Sequence, residues 1–177
     1  KIQDAADMAQ DLDLMGQILV ESGKPDEGQQ KFDAALKLIE DSTLSVEVKA
    51  DAMRLGHQDA ARAALAKHDV VTAKAKAKEF TDQATAMNNI FQIRSAHLLA
   101  GMIALEEKDH ATAIAELKQA SQQDPYTLYK LAEAYEGKGD AASAKAMYEQ
   151  VAKFNSLNSV GYALVRNKAL QKVASGT

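Results

Sequence analysis

Four short turns of like construction punctuate this chain, and they restrict its fold more than any other feature. They are Gly23-Lys24-Pro25-Asp26, Lys67-His68-Asp69, Lys108-Asp109-His110 and Gly139-Asp140. Each offers a helix stop followed by a helix start, with Asp as an N-cap whose carboxylate accepts backbone N–H bonds, or with Pro and acids in the first turn. Between them apolar and small residues recur every three or four positions, the period of a helix with one buried face. The spacing predicts helices near 4–22, 26–41, 45–66, 70–87, 90–107, 110–122, 125–137, 141–154 and 157–174. Connections this short force neighbouring helices to pack antiparallel. One such pair cannot bury its own apolar face, so successive pairs must stack into a solenoid.

At 177 residues the chain suits a single domain. Ala, Lys, Gln, Glu, Asp and Leu dominate, with two Pro and nine Gly, and no strand-like run competes. The absence of Cys excludes a disulfide framework and thiolate metal sites, but leaves the compartment open. The chain begins at Lys1 without a Met or an apolar leader, which fits a mature exported (periplasmic) bacterial protein, a cytoplasmic one or a trimmed chain alike. Charges and Gln interrupt every helix, so no membrane span is expected. Net charge is -4 and unevenly placed: residues 1–60 hold thirteen acids against six Lys or Arg. The basic residues after 157, Arg166, Lys168 and Lys172, are too few for a nucleic-acid footprint.

A longer pattern runs across the turns. Leu12, Met15-Gly16, Leu19, Gly28, Phe32, Ala35 and Glu40 share their offsets with His97, Ala100-Gly101, Ala104, Ala113, Leu117, Ala120 and Pro125. They share them also with Leu128, Leu131-Ala132, Tyr135, Ala144, Tyr148, Val151 and Ser156, and with an Ala-rich copy: His57, Ala60-Ala61, Ala64, Ala73, Ala77, Phe80 and Thr85. Small residues at Gly16, Gly101, Ala113 and Ala144 would let paired helices approach closely, while larger ones fill the seam.

In this pattern the chain resembles the tetratricopeptide repeat family, bacterial members included. The resemblance implies an all-α helical-hairpin solenoid of about nine helices in a right-handed superhelical stack. Repeats would lie near 9–41, 54–87, 94–125 and 126–156, with a capping helix at 157–174. Three departures stand out: no repeat has Trp at the aromatic position, only one ends in Pro, and equivalent positions lie 45, 40 and 31 residues apart where the family expects about 34. The long intervals imply lengthened helices or loops around 41–52 and 86–92 and an irregular curvature.

Catalysis finds no seat in these residues. No two His have the i, i+4 spacing that faces both imidazoles to one metal, and no acid cluster accompanies them. The Ser residues lie at helix ends without a strand-turn-helix elbow. Gly137-Lys138-Gly139-Asp140 joins two helices and lacks a phosphate-loop ending, and Lys74, Lys76 and Lys78 spread around a helix. No enzyme, cofactor or metal is therefore expected.

The resemblance further implies an inner face lined by the first helix of each pair. Carried over by offset, its peptide-groove residues are Asp13 and Gln17, Gln58 and Arg62, Leu98, Met102 and Leu105, and Tyr126, Tyr129 and Glu133. Leu98, Met102 and Leu105 would form an accessible apolar strip flanked by the two Tyr, unless long helices or the C-terminal helix cover it. Some members of the family clamp a terminal carboxylate with basic and Asn residues at these places. Here only Arg62 could do so, and an apolar or basic segment fits better. The implied function is a non-catalytic protein–protein interaction or scaffold module holding a protein or peptide in its concave groove. The competing reading is a self-associating repeat domain, a homo-oligomer formed through the groove or a stack end. At the C-terminus Leu157, Val160, Leu164, Leu170 and Val173 recur at helical spacing beside polar residues, as a capping helix requires.

Overall fold

A computed structural model describes residues 2–155 and 160–175. Among the described residues there are nine α-helices and no strand: α1 Ile2–Glu21, α2 Pro25–Glu40, α3 Val46–Ala66, α4 Val70–Ala86, α5 Ile90–Glu106, α6 His110–Leu117, α7 Pro125–Lys138, α8 Ala141–Ala152 and α9 Val160–Ser175. Most boundaries lie within two residues of those the spacing predicts. Helix α6 is shorter, because the backbone leaves the helix after Leu117 and turns toward Asp124, the N-cap of α7. The long intervals between repeats are absorbed by extra helix: α3 starts eight residues, and α5 four, before its repeat. No long loop is inserted at either place.

The turns share one backbone device. Gly23, His68, Asn88, Lys108 and Gly139 sit in the left-handed region, with φ from 50° to 83°. In each case the next residue's N–H donates back five positions, for example Asp69 to Ala64 O and Asp140 to Tyr135 O at 2.9 Å, satisfying carbonyls the helix end would orphan. Glycine adopts this conformation without penalty; His68, Asn88 and Lys108 do not. The next helix then starts on a carboxylate at three of the turns: Asp69, Asp109 and Asp140 accept from the N–H groups of Thr72, Thr112 and Ser143. Asp124 caps α7 in the same way, just before Pro125 at the first helical position.

The helices fall into two compact units, Lys1–Asn89 and Ile90–Thr177. In the first, α1 pairs with α2 and α3 with α4, and α2 packs on α3. Its core is divided. Ala9, Ala35 and Ile39 form one small cluster and Val20, Phe32 and Ala63 another, while Ala73, Phe80 and Ala84 are buried in the Ala-rich α3/α4 pair. A Cβ at Gly16 would collide with the Phe32 ring, and one at Gly28 would stand 2.8 Å from Gly16 O, so the two glycines are where α1 and α2 cross.

In the second unit α5 pairs with α6, α7 with α8, and α9 packs on both α7 and α8. One contiguous cluster from Leu98 through Leu117, Leu128 and Tyr148 to Val165 and Ala169 fills it. A Cβ at Gly101 would lie 2.8 Å from Leu117 Cδ2, and Ala113 and Ala144 are buried at the equivalent approach points. The small residues thus serve as the pattern requires. Helix α9 caps the unit through Val165 and Ala169, with Leu164 and Val173 alongside. Leu170, expected among the buried residues, is 41% exposed, since it lies one position beyond Ala169 on the outward side. Leu157 and Asn158 of the expected cap, and Ser156 of the fourth repeat, lie outside the described residues. The cap is also tied by charge. Glu136 of α7 accepts from Lys172 Nζ of α9 at 2.6 Å and from Tyr148 Oη of α8 at 2.6 Å, bonds that hold its carboxyl below the usual carboxylate range.

Candidate functional site

Of the ten groove positions carried over by offset, those in the second unit are largely spent on its core. Leu98, Tyr126 and Tyr129 are only 5–6% exposed, and Met102 and Leu105 pack half-buried against the same cluster. The Tyr129 ring lies 5.4 Å from that of Tyr148, Lys130 Nζ stands over the Tyr126 ring, and Glu133 pairs with Lys130 at 2.9 Å. Of the apolar strip expected on α5 and α7, Leu98 and the two Tyr are buried, and Met102 and Leu105 keep part of their surface. The buried ones join the cluster in which α5 and α9 both pack on α7.

In the first unit the corresponding positions are polar. Asp13 and Gln17 on α1 and Gln58 and Arg62 on α3 are all half-buried. Asp13 lines a cavity of about 340 Å³ formed by α1, α2 and α3. Ala9 and Asp13 line it from α1, Phe32 and Ile39 from α2, and Asp51, Leu55 and Asp59 from α3, so apolar walls meet three carboxylates. A volume of this size is at the lower end of the roughly 300–1,000 Å³ typical of ligand pockets.

Asp59 is the residue that the sequence reading missed. It is 6% exposed, and among the described residues no hydrogen bond ends on its carboxylate. Burial pushes its carboxyl up to about 7; the Arg62 guanidinium pulls against this, and Asp13 adds to it. Burial likewise raises Asp13 to about 6. Arg62 thus acts on the Asp59 charge. A signal for Asp59 was present: Ala52, Leu55, Gly56, Asp59 and Ala63 follow the i, i+3, i+4, i+7, i+11 stripe of a buried helix face, and an acid in that stripe is out of place.

Two of the four histidines pair with an acid across a hairpin. His57 Nδ1 meets Glu79 at 2.9 Å across α3 and α4, and His97 Nδ1 meets Glu116 at 2.8 Å across α5 and α6, at the aromatic position of their repeats. Among the described residues no three side chains of His, Asp or Glu converge as a metal site. No described helix is long and apolar enough to cross a membrane.

With α5 to α8 arranged as paired hairpins carrying small residues at their crossings, residues 104–167 match the family model of the tetratricopeptide repeat. That segment is similar to the tetratricopeptide repeat. Repeats of this family generally mediate protein–protein interaction or scaffolding and are typically non-catalytic. No curated protein matches the chain. Within the match the repeat spans α6, α7 and α8 and reaches into α9, so its best-conforming part is the filled unit and not the one that holds the cavity.

Proposed function

We propose that the chain is a non-catalytic interaction module that holds a segment of a protein partner against α1 and α3 of its N-terminal unit. One observation carries this reading: at the inner positions of the repeat Leu98, Tyr126 and Tyr129 are buried in the core of the C-terminal unit, whereas Asp13, Gln17, Gln58 and Arg62 of the N-terminal unit are polar and half-buried, and Asp13 lines a cavity. A surface with mixed amide and acid groups over apolar walls suits an apolar or basic segment.

The test is selection of a displayed random-peptide library on the full chain, followed by calorimetric titration of a selected peptide. A Gln17→Ala, Gln58→Ala double variant should weaken binding at least tenfold, and Glu133→Gln should leave it unchanged. The opposite ranking contradicts the reading. Light scattering on the same samples addresses self-association: a dimer dissolved by the double variant would replace the partner segment with a second copy of this chain.

A further inference from the structure

We propose that the cavity between α1, α2 and α3 is an anchor site for a cationic side chain, arginine or lysine, of the protein partner. The inference rests on the proposed binding at α1 and α3, but adds a chemistry of its own. A carboxylate as buried as Asp59 would normally be matched by hydrogen bonds, and among the described residues none reaches it. The one cation acting on it, Arg62, does not line the cavity, so the Asp59 side of the cavity is left to whatever enters.

The rest of the cavity fits a basic side chain part by part. Ala9, Phe32, Ile39 and Leu55 offer an apolar sleeve for an aliphatic stem, and basic side chains bury such stems readily. Asp13 brings a second carboxylate from the facing helix, so a guanidinium or ammonium would have acids from α1 and α3 as acceptors. Asp51 also lines the cavity but is engaged by Arg54. A metal ion would need a third ligating side chain with these two, and none converges among the described residues. Guanidinium is favoured over ammonium because it is more weakly hydrated and loses less on leaving water.

The experiment uses the full chain and titrates it with Nα-acetyl-arginine amide, Nα-acetyl-lysine amide and the neutral isostere Nα-acetyl-citrulline amide, read by amide shifts in two-dimensional NMR. Either basic probe should give saturable shifts confined to residues around the cavity on α1, α2 and α3, with a millimolar dissociation constant. The citrulline probe should give none. Asp59→Asn should weaken the basic probe at least tenfold, and Asp13→Asn should weaken it also; a circular dichroism spectrum unchanged from the parent shows that each variant is folded. Equal shifts with citrulline, an unchanged affinity in both variants, or shifts scattered over the acidic surface would overturn the proposal. Its failure is separable from that of the binding reading. Library peptides that bind without a basic residue and ignore Asp59→Asn refute the anchor alone, whereas a basic probe that binds where no peptide can be selected refutes the α1/α3 segment site alone.

Discussion

The two units are built from the same hairpin and fill its inner face differently. In Ile90–Thr177 the inner positions Leu98, Tyr126 and Tyr129 join one continuous core, and α9 closes it with Val165, Ala169 and the Lys172–Glu136 pair. In Lys1–Asn89 the small clusters around Ala35 and Phe32 border a cavity that a buried acid also lines. A repeat that fills its inner face gains stability and gives up a binding surface. One that leaves polar groups there does the reverse, because a buried unmatched carboxylate disfavours the folded state until something pairs with it.

The largest expected effect comes from opening the closed unit. Truncation after Asn155 removes α9, including two fully buried side chains worth about 1–3 kcal/mol each, and strips Glu136 of its Lys172 partner. Calorimetry should show the thermal midpoint falling by about 10 °C or more, with aggregation through the bared faces of α7 and α8. An unchanged midpoint and a monodisperse product would show that the second unit does not depend on its cap.

Next is a paired overpacking test. Gly101→Val drives a side chain into Leu117, which is fully buried in a filled cluster, and should cost about 3 kcal/mol by denaturant titration. Gly16→Val meets Phe32, which is also buried but lines the cavity, so a cost nearer 1 kcal/mol is expected. Equal costs would erase the distinction between a filled and an open unit.

Asp59→Asn should act in the stabilising direction. The folded carboxyl is raised to about 7 against an ordinary value of 3.8, so the folded state binds more protons than the unfolded one between these limits. Stability linked to this group therefore increases as pH falls from about 7 toward 4 and is lost as pH rises; Asp13, raised to about 6, contributes with the same sign. The Asn variant should gain about 1–2 kcal/mol at pH 8 and show a flatter midpoint between pH 5 and pH 8. Destabilisation at pH 8 would mean that the carboxylate is already paired. The smallest effect is local: Lys108 holds a left-handed turn conformation at φ 61°, and Lys108→Gly should raise the midpoint by about 2–5 °C.

Much of this architecture is legible in the sequence, because helix ends and hairpin crossings depend on local chemistry. Asp69, Asp109 and Asp140 cap where the turns place them, and Gly16, Gly101, Ala113 and Ala144 sit where only small side chains fit. The inner face was less legible, since an offset within one repeat cannot tell whether a later helix folds over it. Packing of α5 and α9 on α7 decided the fate of Leu98 and Tyr129, and that is a non-local fact. Asp59 is hidden for a different reason: it adjoins Gln58, the position the family's offsets select, and those offsets do not include it.

The central claim is that binding belongs to the open unit, and hydrogen exchange of the full chain with and without a library-selected peptide tests it most directly. The account predicts slowed exchange in α1 and α3, around Asp13, Gln17, Gln58 and Asp59, with α5 and α7 unchanged. Protection confined to α5 and α7, with α1 and α3 unaffected, would contradict it.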